Sequence, residues 1–598
     1  MCGIIGYVGE ENSVNYLIDG LEKLEYRGYD SAGFAVINNK EIKTIKTVGS
    51  PQLLYEKASK IVANIGIGHT RWATHGPATL ENAHPHLSNN GLFAIVHNGI
   101  IENYNLLKQE LLKKNYEFRS DTDSEVFAQL LEENYNGDLK GTVLRTISML
   151  EGSYAFGIIC NDYPDTIVCV RNQSPLFVGK SEDGTFLSSD ISAISDNCNR
   201  IFRLNDREIG ILKIDSIKVY DSEGCRIKKT EVKTKIKEQN SNKNGYEHYM
   251  LKEIYEQPTA IRNTLTEIIK NNTIVFKQIN WSEDVIKSIN NVRFIACGSA
   301  YHAGMVGAYL TEEFFKRTAK AEIASEFRYK NPHIDENTLA VIISQSGETA
   351  DTLAALRIAK QKNAKIISIV NVENSSIALE SDSVILTKAG KETAVATTKA
   401  YSAQLAVIYT LILHLALITK NIDNNTAKLF IDELKSIPNK IEEILANTKS
   451  ILELSKTISE HEYICFIGRC YGYCTAMEGA LKLKEISYIP CDAYAAGELK
   501  HGTIALIDDN SLVISLSSAK ETKSKIQSNI EEITARKGNV LKISSEKDLA
   551  DIVIPNSLDN LYPFLEVIPL QLLAYYVANE KGCSIDKPKN LAKSVTVE

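Results

Sequence analysis

The carboxyl-terminal half of the chain contains an internal duplication, which restricts its possible folds more than any other feature. Short β-branched runs alternate with helical stretches in the order RFIACGSA, LAVIISQSG and KIISIVNV, and again in the order YICFIGRC, SLVISLSS and NVLKISS. Gly298 and Gly468 lie 170 residues apart, and Ser344 and Ser515 lie 171 residues apart. Buried strands that alternate with helices are typical of parallel sheets. The sequence therefore predicts two copies of one α/β domain.

Length and composition are those of a globular protein with several domains. The 598 residues exceed the roughly 250–300 at which one hydrophobic core stops growing, so about two to four domains are expected. Hydrophobic residues make up 44% and charged residues 24%, which argues against a disordered or fibrous chain. The formal net charge of −8 offers no attraction to polyanions, so no nucleic-acid partner is expected.

We also expect a cytoplasmic protein with no membrane partner. No apolar run approaches the roughly 18–20 residues of a membrane span, and no basic segment with a long apolar stretch follows Met1. The eleven cysteines should then be reduced. Cys470 and Cys474 are the closest pair, but they fit one helical face and no matching Cys or His pair follows them. We expect neither a metal site nor a cofactor.

A serine-rich turn in the first copy of the repeat is a candidate phosphate site. Ser344-Gln345-Ser346-Gly347-Glu348-Thr349 follows a predicted strand and precedes a helix that should begin near Thr349. Hydroxyl groups, a glycine turn and the free N–H groups of a helix start can together bind phosphate. A simple helix cap is the alternative interpretation. The second copy has Ser517-Ser518-Ala519-Lys520 instead, so we expect one phosphate site per chain.

Cys2 is a candidate nucleophile at the start of the chain. If Met1 is removed, Cys2 carries both a thiol and an α-amine that can take the thiol proton near neutral pH. A buried thiol at the start of the strand CGIIGYVG is the alternative.

Polar clusters beside glycines follow in EYRGYDSAG, GHTRWATHG, VHNGI and SDTD. Arg71 could bind the carboxylate of a glutamine substrate and Asp123 its ammonium group, while the Asn98 side chain and the Gly99 N–H could stabilise an oxyanion.

These clusters resemble the N-terminal-nucleophile (class II) glutamine amidotransferase domain over residues 2–220. The resemblance implies an αββα sandwich in which Cys2 attacks the glutamine amide and Asn98 and Gly99 form the oxyanion hole. The implied glutamine-binding residues are Arg71, Trp72, Thr74, His75 and Asp123, and Trp72 corresponds to the gate of an ammonia passage. His84 and His86 could pass for a metal pair, but we expect them to order the loop around Pro85.

The segments SQSGETADT, GSAYHAG and AVATTKA resemble the sugar isomerase (SIS) phosphosugar-binding domain over residues 285–590, both copies included. This implies two flavodoxin-like α/β domains with parallel sheets. The implied sugar-phosphate-binding residues are Ser299, Ser344, Gln345, Ser346, Thr349, Val395 and Ala592. The family often has Thr-Ser where this chain has Ser299-Ala300, which puts the role of Ser299 in doubt.

The two resemblances imply five segments: an amidotransferase domain over 2–220, a linker and bridging helix over 221–284, SIS domains over 285–425 and 453–588, and a catalytic tail over 589–598. They also imply a reaction, namely transfer of the amide nitrogen of glutamine to fructose 6-phosphate. Its products are glucosamine 6-phosphate and glutamate, and it begins hexosamine synthesis. A homodimer is expected.

The implied isomerase residues lie in the segments KLKEIS, ELKHG and NLAKS. His501 suits the acid–base work of ring opening, although a histidine bonded within a loop is the alternative. Glu485 corresponds to the base that moves a proton between C1 and C2, with Lys482 one helical turn away. Lys593 corresponds to a Schiff-base lysine, but position alone would make it solvated and mobile.

Two other functions are weighed against this reaction. Another class II amidotransferase product is possible, but no SGGxDS-like pyrophosphatase loop is present. A regulator that only binds sugar phosphates is the second, but no helix-turn-helix segment accompanies the repeat, and such a protein would not need Cys2.

Overall fold

The structure is a computed structural model that describes residues 2–58, 60–72, 75–229 and 242–596. The chain divides into two compact units, namely residues 1–238 with 594–598, and residues 239–593. Most of the charged segment predicted as a linker, residues 230–241, lies outside the described ranges.

The first unit consists mainly of antiparallel strands. They are β1 (Gly3–Gly9), β2 (Ser31–Asn38), β3 (Glu41–Val48), β4 (Ile65–Arg71), β5 (His86–Leu87), β6 (Phe93–Ile101), β7 (Gly152–Cys160), β8 (Ile167–Asn172), β9 (Phe177–Lys180), β10 (Gly184–Ser188), β11 (Arg200–Arg203), β12 (Ile209–Lys213), β13 (Ser216–Tyr220) and β14 (Arg226–Ile227). Its helices are α1 (Ser13–Leu24), α2 (Leu54–Ala58), α3 (Tyr104–Lys113), α4 (Glu125–Glu133) and α5 (Leu139–Ile147).

These strands form two seven-stranded sheets within the described part of the chain. Their orders are β11-β9-β10-β1-β4-β2-β3 and β14-β13-β12-β8-β7-β6-β5. Apolar side chains from the facing sides of both sheets, such as Ile67 of β4 and Val96 of β6, form one core. Helix α1 packs on the outer side of the first sheet through Leu17 and Leu21, and Phe127 of α4 packs on the outer side of the second. The predicted αββα sandwich is confirmed.

The second unit contains the duplication. Its first part comprises α6 (Tyr249–Tyr255), α7 (Gln257–Ile268), β15 (Ile269–Lys270), β16 (Thr273–Ile274), α8 (Glu283–Ser288), β17 (Asn291–Ala296), α9 (Gly298–Leu310), β18 (Thr318–Ile323), α10 (Ala324–Tyr329), β19 (Thr338–Ser344), α11 (Ala350–Gln361), β20 (Lys365–Val370), α12 (Ser376–Glu380) and β21 (Ser383–Leu386). Its remaining elements are α13 (Lys399–Ile418), α14 (Asn424–Ala446), α15 (Lys449–Ile458), β22 (Ile464–Gly468), α16 (Tyr471–Ser487), β23 (Cys491–Ala495), β24 (Leu512–Leu516), α17 (Lys523–Thr534), β25 (Asn539–Ser544), β26 (Ile552–Val553) and α18 (Tyr562–Glu580).

Each copy forms a five-stranded parallel sheet, with the orders β18-β17-β19-β20-β21 and β23-β22-β24-β25-β26. In both copies the first strand lies between the second and the third, which is the flavodoxin-like order. The predicted pair of flavodoxin-like domains is therefore confirmed. Pro258 lies in the first turn of α7 and separates that helix from α6.

Helices α13 and α18 correct one expectation from the sequence. Both are long and apolar enough to cross a membrane by length and composition, which contradicts the statement that no such run exists. However, 83% of the apolar window in α13 and 94% of that in α18 is buried inside the protein. Helices that are hydrophobic on all sides are typical of the core of a large protein. These two helices pack in the core shared by both sheets of the second unit.

Candidate active sites

Cys2 lies directly before β1, where its partner strand β4 brings it beside Trp72. Gly3 pairs with Thr70 in this ladder, and the Gly3 N–H donates to Thr70 Oγ1 at 3.1 Å. The Cys2 thiol is held by backbone groups, since Sγ accepts from Trp72 N at 3.4 Å and donates to Trp72 O at 3.6 Å. Burial raises the pKa of the Cys2 thiol, and the charge of Arg71 partly opposes this. The thiol therefore needs a proton acceptor before it can act as a nucleophile.

The predicted oxyanion residues lie on β6, next to Cys2. Asn98 is buried, and its Nδ2 donates to the backbone oxygen of Cys2 at 3.0 Å. Gly99 has a φ of +134°, and a Cβ at this position would lie 2.1 Å from the Ser153 oxygen. Any other residue at position 99 would thus clash with strand β7. The structure places an amide donor and a required glycine beside the thiol.

Arg71 and Asp123 supply the two charges of the predicted glutamine site. Arg71 ends β4, and its buried guanidinium donates to the backbone oxygens of His75, Gly76 and Pro77. Burial lowers the pKa of Arg71, while Cys2 and nearby aspartates including Asp123 oppose the change. Asp123 is buried and accepts from the Ile101 N–H at 2.8 Å. Both charges act on the Cys2 thiol, so the three residues lie in one site.

The remaining predicted glutamine-binding residues are less well defined. Trp72 takes part through the backbone groups that hold the thiol. The His75 ring lies edge-on to Tyr104, with the ring centroids 5.6 Å apart. Thr74 lies outside the described residues. Their roles toward glutamine stay predictions.

A network of four buried histidines surrounds this site, and the sequence analysis identified only half of it. His84 stacks on His69 with the ring centroids 4.1 Å apart, and His86 lies edge-on to His84 at 4.4 Å. His97 Nδ1 lies 2.8 Å from Ser124 Oγ, and His86 Nε2 lies 3.1 Å from Thr122 Oγ1. The network thus joins the oxyanion strand to both neighbours of Asp123. Five of the eleven histidines fall between positions 69 and 97, a clustering that could have drawn attention to it.

Burial keeps these histidines uncharged. It lowers the pKa of His69 to about 3 and that of His97 to about 4. It also lowers the pKa values of His84 and His86 well below the ordinary value, and neighbouring positive groups add to the effect. The neutral rings of His69, His84 and His86 therefore pack together without repulsion at neutral pH, and the His97 ring stacks on Phe156. In the described residues, no group of three or more His, Cys, Asp or Glu side chains is placed to hold a metal ion.

The serine-rich turn of the second unit lies at the carboxyl end of β19, where ligands bind in parallel α/β sheets. Ser344 ends the strand; its Oγ accepts from the Gly347 N–H at 3.0 Å and lies 3.0 Å from Thr349 Oγ1. Ser346 Oγ accepts from the Glu348 N–H at 3.2 Å. Thr349 immediately precedes α11, which confirms the predicted helix start. The hydroxyl groups and the first turn of the helix therefore lie together, as a phosphate site requires.

Gly347 allows the turn to close. Its φ is +67°, and a Cβ there would lie 1.9 Å from Ser375 Oγ. The Glu348 carboxylate accepts from the Ser376 N–H at 2.8 Å and ties the turn to α12. Gln345 accepts from the Asn371 N–H through its backbone oxygen at 3.1 Å.

The equivalent turn of the second copy differs in charge. The buried Glu566 carboxyl lies against Ser518, and burial raises its pKa to about 7. A carboxyl group at this position disfavours phosphate. The difference agrees with the expectation of one phosphate site per chain.

Lys593 is buried and paired, which its position near the end of the chain does not suggest. Its side chain is 4% exposed, and Nζ lies 2.5 Å from Glu392 Oε2 and 3.3 Å from Thr397 Oγ1. Glu392 also accepts from the backbone N–H groups of Thr398 and Ala400. Although burial alone would raise the pKa of Glu392, the charge of Lys593 holds it below its ordinary value. The interaction fixes the lysine in one place.

A second carboxyl group lies close to this ion pair. Burial, with the charge of Glu392, raises the pKa of Glu253 to about 8. Its carboxyl accepts from the backbone N–H groups of Thr393 and Ala394. Burial and the negative charge of Glu392 thus favour the protonated form of Glu253. The sequence analysis identified neither Glu253 nor Glu392, because the residues that each contacts, such as Ala394 and Lys593 respectively, lie far away along the chain.

Lys482 and Glu485 lie on α16 and belong to a further buried ion-pair network. Lys482 Nζ lies 2.6 Å from Glu485 Oε2 and 3.6 Å from Glu478 Oε1, and its side chain is 1% exposed. Lys482 therefore does not lie on a solvated face of α16. Burial would lower the pKa of Lys482, but Glu485 and Glu478 raise it overall.

Glu478, which the sequence analysis missed, connects this network to α9 of the first copy. It accepts from Ser299 Oγ at 2.8 Å, and His302 Nδ1 lies 2.8 Å from its other oxygen. The Ser299 hydroxyl is thus already engaged within the protein.

The other predicted sugar-site residues stay predictions. Val395 donates from its N–H to the Asp586 oxygen at 3.1 Å, and Ala592 is half-buried directly before Lys593. His501 is exposed at the end of a short helix, Ala496–His501. Among residues 242–596, no hydrogen bond or ion pair joins His501 to Lys593, Glu485 or the serine-rich turn.

Comparisons with known proteins agree with both sites. The glutamine amidotransferase domain family matches residues 69–196, and the SIS domain family matches residues 286–414 and 457–579. This chain is 47% identical to the glutamine–fructose-6-phosphate aminotransferases (isomerizing) of Caldanaerobacter subterraneus subsp. tengcongensis and of Clostridium acetobutylicum. Each alignment covers 100% of this chain and 100% of the relative.

A solved structure agrees with the second unit. The C-terminal domain of glucosamine-fructose-6-phosphate aminotransferase from Francisella tularensis has a TM-score of 0.56 and 38% identity. It covers 58% of this chain and 100% of its own.

Proposed function

This chain belongs to the family of glutamine–fructose-6-phosphate aminotransferases (isomerizing), and from that premise we propose that its two units divide the reaction between them. The enzyme converts fructose 6-phosphate and glutamine into glucosamine 6-phosphate and glutamate. The first unit releases ammonia from glutamine, and the second adds it to the sugar. The observation that carries the first assignment is the Asn98 amide, which donates at 3.0 Å to the backbone of the predicted nucleophile Cys2.

In the first unit, the Cys2 thiol attacks the side-chain amide of glutamine. The α-amine of Cys2, freed by removal of Met1, takes the thiol proton and returns it to the leaving ammonia. Asn98 Nδ2 and the Gly99 N–H stabilise the oxyanion that forms. Arg71 and Asp123 hold the carboxylate and the ammonium of the substrate, since they are the two opposite charges beside the thiol. Water then hydrolyses the thioester to glutamate.

In the second unit, the serine-rich turn over residues 344–349 binds the phosphate and Lys593 attacks the C2 carbonyl of the open-chain sugar. An amine must be neutral to do this, so Lys593 has to give up a proton. Glu392 is 2.5 Å from Lys593 Nζ and can take it. Loss of the carbonyl oxygen as water leaves an imine between Lys593 and C2. Ammonia then displaces the lysine from this imine, and Glu485 moves a proton from C1 to C2. We assign ring opening to His501.

We further propose that the domains have the bounds predicted from the sequence, and that the enzyme is a cytoplasmic homodimer. We place the interface at an open groove of about 250 Å³ between α9 and β18, where Tyr301, Met305 and Tyr309 lie together with the charged Glu312 and Lys320. Light scattering of the purified enzyme at micromolar concentration tests this, and a monomer mass would contradict it.

The direct test of the function is incubation with glutamine and fructose 6-phosphate, with glutamate and glucosamine 6-phosphate both measured. Equal amounts of the two products are expected. Glutamate without amino sugar would contradict the assignment of the second unit.

A further inference from the structure

His69 carries out no step of the mechanism above, yet it is in direct contact with the oxyanion residue. It lies on β4 and is fully buried. Its Nε2 is 3.1 Å from Asn98 Oδ1 and 2.8 Å from the His97 backbone oxygen. Both partners are oxygen acceptors, so Nε2 must carry the proton. In the described residues, Nδ1 has no hydrogen-bond partner.

The surroundings of His69 keep it in this one form. Burial lowers the pKa of its ring to about 3, and neighbouring His97 and Arg71 oppose a positive charge. The stacked His84 ring covers one face at a centroid distance of 4.1 Å. A charged ring would also need a partner for Nδ1–H, which the described residues do not supply. His69 is therefore a fixed, neutral donor throughout the working pH range.

This donor decides which way the Asn98 amide faces. In the resting enzyme the amide is held from both sides, since Nδ2 donates to Cys2 O and Oδ1 accepts from His69. During the reaction Nδ2 has to turn toward the oxyanion, which weakens its bond to Cys2 O. The hydrogen bond from His69 Nε2 to Asn98 Oδ1 then prevents the amide from flipping. A flipped amide would present oxygen to the oxyanion and repel it.

We propose that His69 is a positioning residue for glutamine hydrolysis, which acts by holding Asn98 Nδ2 toward the oxyanion. The proposal rests on the role given to Asn98 under the proposed function. It predicts a fall in kcat for hydrolysis with little change in KM, because glutamine is bound by Arg71 and Asp123 and not by Asn98.

The first test compares His69→Leu with His69→Gln in the full-length enzyme. Leucine removes the donor, and kcat for glutamine hydrolysis should fall about 10- to 100-fold, less than the ~100- to 1000-fold for loss of an oxyanion donor itself. Glutamine can place an N–H near the position of Nε2, so His69→Gln should recover most of the activity. Equal loss in both variants with a raised KM would show a merely structural role and overturn the proposal.

A matched control comes from the same histidine network. His86 is equally buried but contacts Thr122, beside Asp123, and not Asn98. His86→Leu should therefore raise KM for glutamine more than it lowers kcat, the reverse of His69→Leu. The same pattern in both variants would contradict a specific role for His69.

A double-mutant cycle separates this inference from the proposed function. Asn98→Ala should lower kcat for hydrolysis ~100- to 1000-fold, and adding His69→Leu in that background should lower the residual kcat no further, because its partner is gone. If Asn98→Ala retains hydrolysis, the proposed oxyanion hole fails. If Asn98→Ala loses hydrolysis but His69→Leu does not, only the role of His69 fails.

A variant that fails to fold would not leave the proposal untested, because the enzyme without substitutions provides an independent measurement. Nitrogen-15 NMR of histidine-labelled enzyme should show His69 as the neutral Nε2–H tautomer from pH 8 down to pH 5. A proton on Nδ1, or a charged ring above pH 5, would overturn the proposal.

Discussion

The glutamine site of the first unit and the sugar-phosphate site of the second are stabilised by different interactions. Around Cys2, neutral groups predominate: backbone oxygens surround Arg71, and the four buried histidines are uncharged. In the second unit the two lysines that we propose to be catalytic are buried in ion pairs, Lys593 with Glu392 and Lys482 with Glu485. Fixed dipoles suit a site that stabilises a transient oxyanion. Buried ion pairs suit a site that has to store and move protons.

The difference predicts that each site can be disabled without the other. We expect Lys593→Ala to abolish synthesis of glucosamine 6-phosphate and to leave glutamine hydrolysis within about two-fold of the unchanged enzyme, because the Schiff base depends on this amine alone. Parallel assays of glutamate and amino sugar measure both activities. Lys589→Ala, a change in the same tail at an exposed lysine, serves as the control. Appreciable synthesis in Lys593→Ala would remove the covalent role.

The neutral histidines predict that the first unit loses stability in acid. In the folded protein His69 and His97 have pKa values of about 3 and 4, below the ordinary 6.5 that applies when the chain unfolds. As the pH falls from 6.5 toward 4, the unfolded chain binds protons that the folded unit cannot bind. Stability is therefore complete above pH 6.5 and falls below it, by up to ~1.4 kcal/mol per pH unit for each histidine.

Urea unfolding at pH 7.5, 6 and 5 measures this effect, and the two tryptophans allow each unit to be followed separately. Trp72 lies in the first unit and Trp281 in the second. The variant Trp281→Phe therefore keeps only the tryptophan of the first unit, and Trp72→Phe keeps only that of the second. The stability measured from the Trp72 signal should fall more steeply with decreasing pH than the stability measured from the Trp281 signal. His86→Leu should make the fall in the Trp72 signal less steep. Arg71, Lys46 and Asp123 also face these histidines. Parallel slopes for both units would contradict the comparison.

The ion pairs of the second unit predict a cost when one partner is removed. Glu392→Gln leaves the buried Lys593 without its carboxylate, so we expect a loss of about 3 kcal/mol in the free energy of unfolding. The exposed pair Lys287–Glu283 gives the control, and Glu283→Gln should leave the free energy of unfolding nearly unchanged. The Trp281 fluorescence signal reports both. Equal losses in the two variants would show that burial does not strengthen the dependence on Glu392.

The smallest effect is expected at the phosphate turn. Gly347→Ala should raise KM for fructose 6-phosphate about 10-fold, because alanine is strained at a φ of +67° and would contact Ser375. Glutamine hydrolysis should not change. Gly582 has a similar φ of +63° with open space around it, so Gly582→Ala separates backbone strain from the clash. The same change in KM for both variants would exclude the contact with Ser375 as the cause.

The two sites also differ in how far the sequence predicts them. Cys2, Asn98 and the turn that begins at Ser344 stand next to glycines in short segments, so local chemistry made them candidates, and the resemblance to known families then gave them roles. Glu392 and Glu478 could not be found in this way. Each contacts a lysine, serine or histidine on another element. Glu392 and Lys593, for example, are separated by 201 positions along the chain, so the sequence does not show that they are in contact.

Burial explains the other misses. The sequence shows that His69 and His97 lie near the motif glycines, but only the packed sheets show that their rings are dry, neutral and stacked. Helix α13 was missed as a long apolar segment because Tyr, Thr, Gln and His interrupt it, although 17 of its 20 residues are buried. The parallel order of both sheets was predictable, since the duplication and the alternation of strands and helices leave few other arrangements.

The division of the reaction between the two units is tested most directly with Cys2→Ala. This variant should release no glutamate from glutamine, yet it should form glucosamine 6-phosphate from fructose 6-phosphate when ammonium chloride replaces glutamine, at a rate close to that of the unchanged enzyme with ammonia. Glutamine hydrolysis by Cys2→Ala would contradict the nucleophile assigned here. Loss of the ammonia-dependent reaction would contradict the independence of the second site.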